Sequence, residues 1–233
     1  MSRISQCMKA LENGDIKKAY KILEEVKRSG IDEEKLALAE QLSSLGFLEE
    51  AQVLYKNLLE TYPDEGELLI ALAENYINLD QEQEAILTLE KIKEGDPCYL
   101  ESLVLQADLY QLQGLYEVSI SKLKKAEQLA PDEPAIQFGL AEMYFETGRL
   151  HEAAYLYEKV LEYGKTFGST NVYERIASVY SAAGEFEKAL DYYERALEGR
   201  LDINILFGYG LTAYQANYFK KAIEKLSEVI ELD

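Results

Sequence analysis

One histidine and two cysteines limit the chemistry open to this 233-residue chain. His151 has no second histidine to share a metal, and no cysteine or carboxylate cluster lies around it at metal-ligand spacing. Cys7 and Cys98 are far apart and form no C-x-x-C pair, so they read as small buried thiols of a reducing compartment. A Ser-His-Asp or Cys-His arrangement needs a histidine held beside a nucleophile, often on a strained strand–helix elbow, and no such setting is legible. The stretch Gly208-Tyr209-Gly210-Leu211-Thr212-Ala213 spells G-x-G-x-x-A. No strand precedes it and no βαβ unit surrounds it, so its small residues read as helix packing. Gly164-Lys165-Thr166 ends like a phosphate loop, but Lys159 stands where the first glycine is required. No catalytic residue, cofactor or metal is expected.

Charge points towards binding instead. Formal net charge is −19, from 43 acidic and 24 basic side chains. Such a field repels phosphate backbones and anionic lipid surfaces, which argues against nucleic acid and membrane partners and favours basic proteins or peptides. The residues after Met1 lead into charged Lys9 and Glu12 without an apolar h-region, and no apolar run reaches the ~18 residues of a membrane span. A cytoplasmic protein is expected.

The elements that present this charge are read from a repeat. The pattern A-x-x-[YL]-x-x-x-G-x-x-x-x-A occurs as Ala39, Leu42, Gly46, Ala51 and again as Ala73, Tyr76, Asp80, Ala85. It recurs as Ala107, Tyr110, Gly114, Ser119, as Ala141, Tyr144, Gly148, Ala153, and as Ala177, Tyr180, Gly184, Ala189. The first four copies are spaced by 34 residues, and Pro63, Pro97 and Pro131 keep the same interval. Each unit reads as a helix A, a glycine that ends it in the left-handed conformation, and a helix B. Helix B carries a large apolar residue four after its alanine: Tyr55, Leu89, Leu123, Tyr157 and Tyr193. Proline then forces the chain out of the helix. Strand alternation is absent, so the fold class is all-α, of roughly fourteen antiparallel helices without a strand.

These residues closely resemble the tetratricopeptide-repeat (TPR) family, in the form of a bacterial-type cytoplasmic array. The resemblance implies a single right-handed superhelical solenoid of about seven hairpins over residues 1–233, beginning near 1, 32, 66, 100, 134, 170 and 203. The terminal copies are the weakest, with Cys7 replacing a small residue and Asn217 replacing the turn glycine. Two residues are inserted after Val160, and the glycines of 163–169 offer either a hinge or a long turn. The sequence stops at Asp233 in a helix B without a polar cap, so a longer chain or another subunit is expected to cover that end.

The resemblance further implies that A helices line a concave groove through positions 2, 5, 9 and 12 of each unit, which share one helix face. Those positions give the candidate partner-binding residues Glu33, Leu36 and Glu40, then Glu67, Ile70, Glu74 and Ile77. Further along they give Glu101, Val104 and Asp108, then Phe138, Glu142 and Phe145. Position 9 is acidic four times running, at Glu40, Glu74, Asp108 and Glu142. The A helices of repeats 2–5 contain 11 acidic residues and one basic, whereas their B helices contain 12 and eight. Helix-dipole complementarity accounts for Glu33, Glu67 and Glu101 in first turns but not for position 9 in mid-helix. Chaperone-binding members grip a carboxylate with Lys at position 5 and Asn at position 9; here those slots hold Leu36 and Glu40, Ile70 and Glu74, or Val104 and Asp108.

The expected function is a protein–protein interaction scaffold whose acidic groove takes a basic, partly apolar segment. Two other readings stay open: a peptide-sensing regulatory TPR receptor, and a structural array that self-associates through its C-terminal hairpin.

Overall fold

A computed structural model describes residues 2–199 and 201–232. The chain forms two compact units, one ending at Leu109 and the other starting at Tyr110.

The first unit contains α1 (Arg3–Glu12), α2 (Ile16–Ser29), α3 (Asp32–Ser44), α4 (Leu48–Thr61), α5 (Gly66–Asn78) and α6 (Glu82–Leu89). Helix α7 (Tyr99–Leu112) begins within it. Hairpins form between α1 and α2, α3 and α4, and α5 and α6, and α4 also packs on α5. Ala39, Ala51, Ala73 and Ala85 are fully buried, so the small residues of the repeat sit where helices approach. Tyr55 and Leu89 fill the space beside them.

Helix α6 is shorter than the sequence suggests. It ends at Leu89, and tight turns through Lys91 and Ile92 replace the rest of the expected helix. Gly95 takes φ 99°, and the Asp96 carboxylate accepts from the Cys98 N–H at 2.7 Å. Two such turn formers before Pro97 outweigh a helical continuation. Ile92 still reaches the core from the turn, with 4% of its surface exposed.

The second unit holds α8 (Tyr116–Leu129), α9 (Pro134–Glu146), α10 (Leu150–Leu161), α11 (Val172–Ala182), α12 (Phe186–Ala196), α13 (Ile203–Gln215) and α14 (Phe219–Leu232). Consecutive helices from α8 to α14 pack against one another. Between α10 and α11 lies a short antiparallel ladder, β1 (Thr166–Phe167) and β2 (Thr170–Asn171), with Thr166 opposite Asn171 and Phe167 opposite Thr170. The expectation of no strand is corrected there. Gly168, at φ 57°, supplies the left-handed residue that a two-residue hairpin turn requires. The Val172 N–H then donates to the Lys165 carbonyl at 2.9 Å, closing the loop onto the start of α11.

The G-x-G-x-x-A stretch lies inside α13, where both glycines admit a neighbour. A Cβ on Gly208 would stand 2.8 Å from the Tyr193 hydroxyl, and one on Gly210 would stand 2.7 Å from Leu226. The motif is a packing device.

Candidate partner-binding faces

In the first unit, α3, the end of α4 and the start of α5 enclose a cavity of about 310 Å³. Five carboxylates surround it: Asp32, Glu33 and Glu40 on α3, Glu65 before α5, and Glu67 in its first turn. Leu36, Leu58, Leu68 and Ala71 supply its apolar wall. Tyr62 closes one side, and its hydroxyl donates to Asp32 Oδ2 at 2.8 Å. Lys35 stands beside the same carboxylate, with its Nζ 3.6 Å from Asp32 Oδ1. Of the residues singled out by the repeat frame, Glu33, Leu36, Glu40 and Glu67 therefore meet in one cavity. Asp32, Glu65 and Tyr62 were not singled out. They belong to the loop and the helix ends, outside the four positions, and the 2–5–9–12 spacing carries no signal for them.

Tyr55 lies beneath the acidic column. Burial, followed by the charges of Glu40 and Glu74, pushes its phenol up to about 12. One buried ring thus senses the position-9 carboxylates of two successive repeats. The Glu74 carboxyl is itself held above the ordinary carboxylate range, by desolvation first and by the Glu101 charge second. Desolvation raises Asp108 in the same sense. Both side chains reach solvent, yet neighbouring side chains wall them enough to disfavour their charged forms.

The other candidates are placed less uniformly. Glu101 is exposed, and Ile77 and Val104 are half-buried. Ile70, a candidate partner-binding residue, is only 7% exposed and packs mainly in the core.

In the second unit the acidic column and the aromatic anchors are already engaged. Arg175 Nε on α11 lies 3.1 Å from Glu142 Oε1, and the buried Tyr157 hydroxyl donates to the same carboxylate oxygen. Burial and then the Glu142 charge push the Tyr157 phenol far above its usual range. Glu142 is not a free carboxylate. The Phe138 ring stacks on Phe167 of β1, with centroids 4.5 Å apart and planes at 21°, and meets Tyr157 edge-on at 5.6 Å. The inserted hairpin therefore lies over one of the predicted anchors, while Phe145 is half-buried.

Asp233 lies outside the described residues, so the expected uncapped end is not described; the preceding α14 exposes Phe219, Ile223 and Ile230. Among the described residues no helix is long and apolar enough to cross a membrane. Among the same residues no group of three or more His, Cys, Asp or Glu side chains is arranged to hold a metal ion.

Hairpins with alanines at the helix contacts, left-handed residues at the A–B turns and a 34-residue register define a tetratricopeptide-type protein. The chain belongs to the tetratricopeptide-repeat family: tetratricopeptide-repeat models match residues 45–99 and 172–204, and the model described as YpiA-like, tetratricopeptide repeats, matches 111–165. A PPR repeat model matches residues 11–31. The TPR repeat-containing protein YpiA of Bacillus subtilis is 41% identical over 99% of this chain, which spans 54% of that relative. Among solved structures, MamA from Desulfovibrio magneticus RS-1 aligns with a TM-score of 0.67 at 16% identity, over 72% of this chain and 95% of its own. A tetratricopeptide repeat protein from Parabacteroides merdae aligns with a TM-score of 0.62 at 17% identity, over 98% and 91%. These likenesses establish an all-α tetratricopeptide fold, the kind of fold that mediates protein–protein interaction and scaffolding.

Proposed function

We propose that this chain is a cytoplasmic, non-catalytic scaffold whose first unit binds a basic, partly apolar segment of another protein. The cavity between α3, α4 and α5 carries the reading. Five carboxylates stand over an apolar wall, so a lysine or arginine can lay its methylene stem on Leu36, Leu58 and Leu68 while its charged head meets Glu33 or Glu67. Glu40 extends the acidic surface towards Glu74 and Asp108. A negative surface of this kind steers cationic segments and discriminates against nucleic acid and anionic lipid.

The test uses fluorescence anisotropy of a labelled peptide with alternating basic and aliphatic residues, titrated with the full chain. The Glu33→Lys, Glu67→Lys double variant is expected to weaken binding strongly. Reversing the exposed, outward Glu49 and Glu84 is expected to have little effect, because screening at ~0.15 M salt acts over ~8 Å. Affinity is expected to fall as salt rises. Equal binding by wild type and by the Glu33→Lys, Glu67→Lys variant rules the acidic cavity out as the site.

A further inference from the structure

The acidic column at position 9 ends after Glu142: the next two repeats place Ser178 and Leu211 there. In the second unit these residues face a cavity of about 490 Å³ between α11, the start of α12 and α13. Its lining contains no aspartate, glutamate, lysine, arginine or histidine, in a chain whose net charge is −19. Four hydroxyls stand in its wall instead. Ser181 Oγ and Thr212 Oγ1 lie 2.8 Å apart, and Ser178 Oγ lies 3.3 Å from the Tyr193 hydroxyl. The geometry is built in, since Gly208 lets the Tyr193 phenol lie against α13, and Thr212 and Tyr193 are almost wholly buried.

We infer that this cavity is a second binding site, one that takes an uncharged carboxamide side chain, asparagine or glutamine, flanked by aliphatic residues in a polypeptide segment. Each hydroxyl has one hydrogen and two lone pairs. The Ser178 hydrogen goes to Glu174 Oε1 at 3.3 Å, so the Tyr193 hydroxyl is the donor within its pair, and one more hydrogen is spent between Ser181 and Thr212. The surplus is therefore of acceptors, which suits the two N–H donors of a carboxamide. Gln215 adds an amide of its own at the rim and can pair reciprocally with the incoming one. Phe186 and Leu211 form an apolar lip for the flanking aliphatic side chains. No carboxylate lines the cavity itself, and Glu174, which touches its wall, is already engaged by the Ser178 hydroxyl, so an ammonium or guanidinium group would lose its hydration there with little to replace it. The site deepens the scaffold reading by adding a neutral specificity to an otherwise acidic binding protein.

The experiment is selection of a random peptide display library against the full chain, followed by anisotropy of the recovered peptides on variants. One class of peptides is expected to share an Asn or Gln beside aliphatic residues and to lose about tenfold in affinity on Ser181→Ala or Thr212→Val. Leu211→Lys, at a half-exposed position, is expected to weaken the same class, which keeps the test open should Thr212→Val fail to fold. The Glu33→Lys, Glu67→Lys variant should leave this class unchanged. The inference is overturned if peptides sensitive to positions 181, 211 and 212 carry lysine or arginine instead, or if peptides are recovered and none depends on those positions. Recovery of no peptide at all overturns it together with the scaffold reading.

Discussion

Phe167 of the inserted hairpin stacks on Phe138 of α9, with ring centroids 4.5 Å apart and planes 21° from parallel. Phe138 is the position-5 residue of its repeat, one that the family resemblance assigns to the partner. An element of the chain's own insertion therefore occupies the slot where a partner's apolar side chain was expected. The same ring touches Tyr157, whose hydroxyl is tied to Glu142, so three contacts join Phe167 of the insertion through Phe138 and Tyr157 to Glu142.

Removing the Phe167 ring tests whether this hairpin is a packed element or a loose connection. Phe167 is half-buried, and an aromatic pair adds to the area it covers, so Phe167→Ala is expected to cost about 1–2 kcal/mol. Urea unfolding followed by far-ultraviolet dichroism measures the cost, and amide exchange at 166–171 should accelerate in parallel. Unchanged exchange together with an unchanged midpoint would mean that the stack holds nothing in place.

Glu74 and Asp108 allow a pH prediction whose sign is fixed by their raised pKa values. A carboxyl raised in the folded state binds more protons there than in the unfolded chain, between the two pKa values. Its charged form therefore opposes folding at neutral pH, and the opposition fades as pH falls through the raised value. Glu74→Gln and Asp108→Asn are expected to increase stability at about pH 7, and to lose that advantage at about pH 4, near the ordinary carboxylate range. Denaturant midpoints at the two pH values decide it; an advantage that grows on acidification has the wrong sign. Carboxylates kept at the expense of stability are what a binding surface is expected to retain.

Much of the fold is legible in the sequence because the repeat states it several times. The turn slot shows how far this goes. Gly46, Gly114, Gly148 and Gly184 all have positive φ, and so do Asp80 and Asn217, the two non-glycine residues at that slot. Their side chains tolerate the left-handed region better than most, so register alone locates the turn even where glycine is lost. The site is less legible because a helical face is shared by core and surface. Ile70 follows the groove spacing yet is buried, and Glu142 follows the acidic column yet is held by Arg175 from the next repeat. Local spacing shows which way a side chain sets out, and long-range partners decide whether it remains available. The hairpin at 166–171 escaped for a related reason. Four strand residues around Gly168 and Ser169 are too few for an alternation signal, and their order depends on packing against α9.

The Glu142–Arg175 pair gives the last prediction. The Glu142 side chain is 17% exposed and Arg175 34%, so water screens the pair only in part. Arg175→Met removes the cation and leaves Glu142 with the Tyr157 hydroxyl as its hydrogen-bond donor. An ion pair that water screens only in part is worth about 1 kcal/mol, and the variant should lose about that much in urea unfolding. Glu142→Gln introduced into the Arg175→Met background should recover part of it, since a neutral amide tolerates the vacated surroundings better than a carboxylate. A double-mutant cycle isolates the coupling between the two residues, and additivity within about 0.5 kcal/mol would show that none exists.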